Sequence, residues 1–332
     1  MSTYRTSYLT APRTIQMTEA ERPKPGPGEV LLELGAVGVC GSDVHWYLEG
    51  GIGTAKLEGP LTLGHEPAGR VIEIGEGVDP ALRGLRVAIE PAIPCMRCKF
   101  CMRGDVNICP DVMFLGTTPT HGAYRELMTH PASLVVPIPD SISDEMGALL
   151  EPLAIAVHVS DLLKPRLGAT VVIQGAGPIG LSCLLAMKLH APEKIIVIEP
   201  LAYRRELALA MGADLAFSPD DPDVVREVEH VCGGYGAQYV IEAVGEPASF
   251  DQMVRFAEPG AKIALVGIDP LDRLGFNHSI SRRKGLTVLL VRRSRNTLHR
   301  ALELTARGWW QPQPLITHHR GLGDLTATMD MV

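Results

Sequence analysis

Four cysteines stand within fifteen positions, as Cys95-Met-Arg-Cys98-Lys-Phe-Cys101 and then Cys109, the spacing C-x2-C-x2-C-x7-C. Soft thiolates this close can complete a tetrahedron round Zn2+ and leave no position for water, which makes a structural site that pins a loop with little core of its own. An iron–sulfur cluster also takes four cysteines, but nothing else in the chain points to electron transfer. A second, scattered set carries different chemistry: Cys40 in GVCGSDVHWY, His65 and Glu66 in LGHEPAG, and Glu151 in LLEPLAIAVH. One thiolate, one imidazole and carboxylates form a mixed donor set that can leave zinc an open position for water or substrate. Each member has a duller reading on its own. A lone Cys packs as a small hydrophobe, a lone His is a satisfied side chain, and Glu151 before a proline caps a helix.

A third constellation is Gly175-x-Gly177-x-x-Gly180, directly after an apolar run and at the mouth of a helical one. In such a turn the glycines allow a tight bend, close approach of a pyrophosphate, and close packing of helix on strand. The helix start adds free N–H groups and a positive dipole end for the anion. The next apolar run ends at Glu199, about twenty residues on, where an acid accepts hydrogen bonds from the ribose hydroxyls of an adenosine. Glu199 would repel a 2′-phosphate, which favours NAD over NADP; Arg204 and Arg205 nearby soften that preference.

These groups need elements to hold them, and the chain changes character near residue 155. From Glu29 to about Val136 the pattern is short β runs between Gly and Pro, such as EVLLELGAVGV (29–39), AGRVIEIGEGV (68–78) and SLVVPIP (133–139), which predicts a small β-rich, partly barrel-like domain. After Glu151 the rhythm becomes strand–turn–helix: ATVVIQGAGPIG and LSCLLAMKLHA, then KIIVIEP and AYRRELALAMG. Further strands are expected in YVIEAVG (239–245), AKIALVG (261–267) and GLTVLLV (285–291), which gives a parallel sheet with helices on both faces. From about Asn296 the tail reads as one helix, TLHRALELTARG, a Pro-broken extended stretch and a polar end.

Composition removes other classes. A chain of 332 residues with 46% hydrophobic and 21% charged residues is neither disordered nor fibrous, and its length suits two domains. With 31 Lys+Arg against 38 Asp+Glu the formal net charge is -7, which argues against nucleic acid as the main partner. No run approaches the roughly 18 unbroken apolar residues of a membrane span, and the opening MSTYRTSYLTAPRTIQMTEAERP has no apolar core of a secretory signal. Seven cysteines, an odd number with four crowded together, read as metal chemistry in a reducing, cytoplasmic compartment.

GVCGSDVH, LGHE-x-AG, the four cysteines, EPLA-x-x-x-H and GAGPIG stand in one order along the chain. Together they resemble the zinc-dependent medium-chain alcohol dehydrogenases, and within them the sorbitol/xylitol (polyol) dehydrogenase branch, over about residues 5 to 320. The resemblance implies an α/β fold: a GroES-like β-rich catalytic domain (1–154 and 295–332), a Rossmann doubly wound parallel-sheet domain (155–294), and a cleft between them. It places the catalytic zinc on Cys40, His65 and Glu66. Glu151 stands where the simple alcohol dehydrogenases have a second Cys, and reaches the metal or the substrate through water; which of Glu66 and Glu151 ligates directly stays open. Asp43 resembles the carboxylate that orients the ligating imidazole. Ser42 and His45 match the groups that pass the alcohol proton to solvent. Trp46 matches a substrate-facing aromatic, with packing at the domain edge as its alternative, and Phe114 matches a pocket wall. Arg204 matches a ribose contact, Ile179 joins the cofactor turn, Val266, Gly267 and Ile268 line the nicotinamide, and Arg293 matches an Arg that binds polyol hydroxyls.

The implied activity is oxidation of a secondary hydroxyl of a polyol to a ketose, with two Zn2+ per chain and NAD, in a homo-dimer or homo-tetramer. The alternatives are a 2,3-diol, a sugar acid such as idonate, or threonine, whose dehydrogenases typically carry Thr at the Ser42 position. A non-catalytic zinc- and nucleotide-binding subunit is a further alternative, opposed by catalytic positions that are chemically intact. Two departures from the family pattern stand out. PALRGLRVAIEP lacks the usual Gly-Asp before Arg86-Val87, and relatives continue from a final helix into a strand returning to the catalytic domain, whereas this text stops at DLTATMDMV.

Overall fold

A computed structural model describes residues 3–269 and 273–332 of the chain. They form two compact units: Met1–Glu151 with Leu298–Arg307 and Ile316–Val332, and Pro152–Thr297 with Gly308–Leu315.

The first unit is built on a five-stranded antiparallel sheet in the spatial order Leu127–Pro131, Glu29–Gly38, Glu66–Ile74, Arg86–Ile89, Val135–Pro137. Val30, Leu32, Val71, Val87, Ile89 and Met128 from these strands are buried together on one face, while Leu31 and Ala88 between them are buried on the other. The opening residues, in which no element was expected, form a hairpin, Thr3–Ala11 paired with Thr14–Glu21. Its second strand is mostly exposed, and only the first alternates toward the core, so a polar composition concealed it. The tail departs from expectation as well. Leu298–Ala306 is the anticipated helix, but the polar end folds into a further helix, Leu325–Met331. That helix buries Leu325 and Met329 against Leu9, Trp46 and Tyr47, and the Tyr47 hydroxyl donates to Asp330 Oδ1 at 2.9 Å.

The second unit is a six-stranded, wholly parallel sheet. Its spatial order is Leu215–Phe217, Lys194–Ile198, Thr170–Gln174, Ala237–Glu242, Ala257–Leu265, Thr287–Leu290. Counted along the chain this is third, second, first, fourth, fifth, sixth, the order of a doubly wound dinucleotide-binding sheet. The runs TVVIQ and KIIVI are buried almost end to end, as parallel strands covered on both faces must be. One face packs Val172, Ile196 and Val240 on Val224, Val228, Phe250 and Met253 of the helices Val224–Val231 and Pro247–Phe256. The helical run Asp144–Leu163 is long and apolar enough to cross a membrane, yet 78% of its apolar stretch is buried inside the protein, as a core helix would be.

Candidate active site and cofactor turn

The strand Glu29–Gly38 delivers Cys40 to the start of the helix Gly41–Glu49. There the Cys40 amide donates to Asp43 Oδ2 at 3.2 Å, and the helix closes at Gly50 in the left-handed conformation (φ 68°). A thiolate at this position meets the positive end of the helix dipole. Opposite, Gly38 pairs with Glu66 at the head of the strand Glu66–Ile74, and any Cβ at Gly38 would strike the Glu66 carboxylate. One ligand atom each from Cys40, His65 and Glu66 lie within 4.8 Å of one another, which brings the scattered sequence set into one place. Glu151 is not part of that trio; it is buried at the start of the helix Leu150–Leu163.

Burial is the largest influence on all three groups. It pushes the Cys40 thiol up and raises the Glu66 carboxyl to about 7. At His65 burial favours the neutral ring, but Asp43 and Cys40 outweigh it and hold the imidazole well above its usual range. Buried thiol and carboxyl groups of this kind, held toward their protonated forms by desolvation, are ones from which a divalent cation displaces protons, so the donor set fits a zinc ion. Asp43, 1% exposed, has Oδ1 3.5 Å from His65 Nδ1. Phe114 lies against the same imidazole, ring centroids 5.2 Å apart. Ser42 is half-buried, and His45 is half-buried with Nδ1 3.5 Å from Glu49 Oε1. Trp46, 2% exposed, is packed with Leu9, Leu61 and Leu63.

The four-cysteine site is equally well formed. Cys98 Sγ lies 3.5 Å from Cys101 Sγ and 3.9 Å from Cys109 Sγ. A tetrahedron with Zn–S bonds of about 2.3 Å has an edge of roughly 3.8 Å. Main-chain donors from Cys95 to Cys109 Sγ (3.4 Å) and from Cys101 to Cys98 Sγ (3.5 Å) suit sulfur that carries negative charge. Hydrogen bonds from the Arg97 and Cys98 amides, above all, bring the Cys95 thiol down to about 7.

In the second unit Gly175 takes φ 88°, and its N–H donates to the Ile198 carbonyl at 2.8 Å. A Cβ at Gly180 would run into the Gly175 carbonyl oxygen, whereas one at Gly177 would enter open space at the head of the helix Pro178–Lys188. That opening is the cradle a pyrophosphate needs. Ile179 is half-buried on the first turn of the same helix. Glu199 is buried with its carboxylate turned onto main chain, accepting from Ala176 N at 2.8 Å and Leu201 N at 3.0 Å, which leaves each oxygen a second lone pair. Arg205 Nη1 donates to the carbonyls of Glu199 and Pro200, and Arg204 Nε to the Tyr203 hydroxyl, so the contacts of these guanidiniums go elsewhere than the Glu199 carboxylate. Val266 and Gly267 both donate to the Glu242 carbonyl, at 2.8 and 3.0 Å, and Ile268 is 50% exposed beside them. Arg293 is half-buried with φ 53°.

Sequence reasoning missed two residues. Glu242 is wholly buried and its Oε1 accepts from Val244 N, Gly245 N and Ser249 Oγ, fixing the loop beside the Val266–Ile268 segment. An acid inside the apolar run YVIEAVG was the available signal. Tyr124, whose hydroxyl reaches Asp43, had none.

The site and fold define a zinc-dependent dehydrogenase with a dinucleotide domain, and comparison with known proteins bears this out. Residues 26–140 match the alcohol dehydrogenase GroES-like domain and residues 178–307 the zinc-binding dehydrogenase family. Sorbitol dehydrogenase of Bacillus subtilis is 33% identical over 96% of this chain and 90% of its own length. L-threonine 3-dehydrogenase of Pyrococcus abyssi is 36% identical over 91% of this chain and 87% of its own. A solved Escherichia coli oxidoreductase of unknown specificity superposes with a TM-score of 0.94 at 32% identity, covering 99% of this chain and 95% of that one. The chain belongs to the zinc-type alcohol dehydrogenases of the medium-chain family. It is an NAD-dependent enzyme with two zinc sites, in a family whose substrates are small-molecule alcohols.

Proposed function

We propose that the protein oxidises a secondary hydroxyl of a polyol to a ketose, using the Cys40–His65–Glu66 site. The observation that carries this reading is two buried carboxylates, Glu66 within the ligand trio and Glu151 at a helix start, the position where the resemblance puts a second thiolate in the simple alcohol dehydrogenases. A polyhydroxylated substrate offers several hydroxyls for such acids to accept from. When bound, zinc supplies a Lewis acid that lowers the pKa of a hydroxyl, and NAD+ supplies the hydride acceptor. The chain's residues do the rest. The Cys40 thiolate and one carboxylate balance the metal's charge. Asp43 holds the His65 ring in one orientation. Ser42 and His45 carry the substrate proton outward along the Gly41–Glu49 helix, ending at an imidazole whose side chain is 30% exposed beside Glu49. Glu199, with no guanidinium on its carboxylate, supports NAD over NADP.

A second reading, a sugar acid, is favoured by the basic run Arg292-Arg293-Ser294-Arg295, which would suit a carboxylate. We place the enzyme in the cytoplasm, in keeping with seven free cysteines. We also propose a homo-oligomer, dimer or tetramer.

The test is a panel of four- to six-carbon polyols, a 2,3-diol, a sugar acid and L-threonine, each with NAD+ and NADP+, followed by NADH or NADPH absorbance. Polyols with NAD+ should give the highest kcat/KM; a clear preference for threonine or the sugar acid would sink the polyol assignment. Cys40→Ser should lose one of two zinc ions and all turnover, and activity surviving that change would overturn the site.

A further inference from the structure

Asp43 backs the imidazole of His65, so whatever fixes Asp43 acts on the metal site. Three donors converge on its carboxylate: Gly64 N on Oδ1 at 3.0 Å, Cys40 N on Oδ2 at 3.2 Å, and the Tyr124 hydroxyl on Oδ2 at 3.0 Å. The first two are main-chain groups, of the residue before His65 and of Cys40 itself. The third is a side chain from a distant part of the chain.

Tyr124 is 4% exposed, and its hydroxyl also lies 3.0 Å from the Gly38 carbonyl oxygen. One proton therefore serves an acceptor on the strand before Cys40 and another on the helix after it. The ring lies against Gly64, which takes φ 89°; a Cβ there would come within 3.0 Å of three ring atoms. Tyr124's own backbone is fixed on both sides. Its N–H donates to Leu63 O at 2.9 Å, and its carbonyl accepts from Ser7 N at 3.1 Å and Ser7 Oγ at 2.8 Å. Its neighbours Leu9, Leu61 and Leu63 are apolar, so a phenylalanine would pack there as well. The hydroxyl costs free energy to bury and recovers it at Gly38 and Asp43.

We infer that Tyr124 is a positioning residue of the metal site: its hydroxyl fixes the Asp43 carboxylate against His65 and thereby holds that imidazole in the orientation that ligates zinc. The inference rests on Cys40, His65 and Glu66 being the ligands.

The experiment compares wild-type holoenzyme with Tyr124→Phe, which keeps the ring and removes only the hydroxyl. Zinc release to a chelator, the visible spectrum after Co2+ exchange, and Tm are measured alongside kcat and the KM for NAD+. The variant should retain the four-cysteine zinc and its Tm. It should release the second zinc roughly 10- to 100-fold more readily, the cost typical of losing an outer-shell partner. The Co2+ absorption should shift, and kcat should fall with little change in KM for NAD+. Zinc release and a Co2+ spectrum like wild type would show that the ring merely packs, and would overturn the inference. Loss of both zinc ions together with a lower Tm would overturn it too, as a general structural defect. A wild type that holds only the four-cysteine zinc would instead bring down the ligand assignment, and the inference with it.

Discussion

At the scale of single residues, chemistry was legible where identity and spacing carry it. Four cysteines at C-x2-C-x2-C-x7-C need no fold to be recognised, and Cys40, His65 and Glu66 do converge. Trp46 and Tyr124 were not legible, because an aromatic in a core and one beside a metal look alike until neighbours are known. His130 shows how a residue outside the site shapes pH behaviour. It is 1% exposed with Nε2 3.0 Å from the Glu90 carbonyl, and burial, above all, pushes its pKa down to about 4. The folded pKa lies below the unfolded one, so as pH falls the unfolded chain takes up the proton first. The stability this residue contributes is complete above about pH 6.5 and is lost as pH falls toward about 4, a total of about 3 kcal/mol. His130→Gln should flatten urea-midpoint curves across that window. An unchanged slope would remove His130 from the account of acid sensitivity.

At the scale of elements, the strand–turn–helix at Thr170–Lys188 makes the sharpest forecast, since its glycines share a motif but have different surroundings. Gly177→Ala places a methyl in open space, so the fold should lose less than about 1 kcal/mol at the helix cap. Affinity for NADH should nevertheless fall clearly in a fluorescence titration, because the methyl occupies the pyrophosphate's place. Gly180→Ala drives a methyl into the Gly175 carbonyl, and should cost about 1–3 kcal/mol of stability whether or not cofactor is present. Equal loss of stability in both variants would contradict this division. The parallel strands were legible because burial on both faces demands continuous apolar runs. The Thr3–Glu21 hairpin and the Leu325–Met331 helix were not. Each buries few apolar side chains, Leu9 and Tyr4 in one, beside the polar Thr6 and Ser7, and Leu325 and Met329 in the other.

At the scale of the molecule, the parallel sheet ends in the strand Thr287–Leu290, bonded on one side only among the described residues, with Leu290 70% exposed. An exposed apolar edge is a template for another strand, and a second copy of the chain would supply one. In the homo-oligomer proposed above, Leu290→Lys should therefore lower the mass seen by light scattering while leaving zinc content intact; an unchanged mass would remove this edge as the contact. The helix Leu325–Met331 has a consequence of another kind. Leu9 from the first strand and Met329 from the last helix share one core with Trp46, on the helix that carries Ser42, Asp43 and His45. During synthesis that core must wait with its apolar face uncovered until residues 325–331 have left the ribosome, whereas Pro152–Thr297 has the strands of its own sheet well before then. The order of translation thus makes the zinc-bearing unit the later to mature, and the one most exposed to chaperones and proteases on the way.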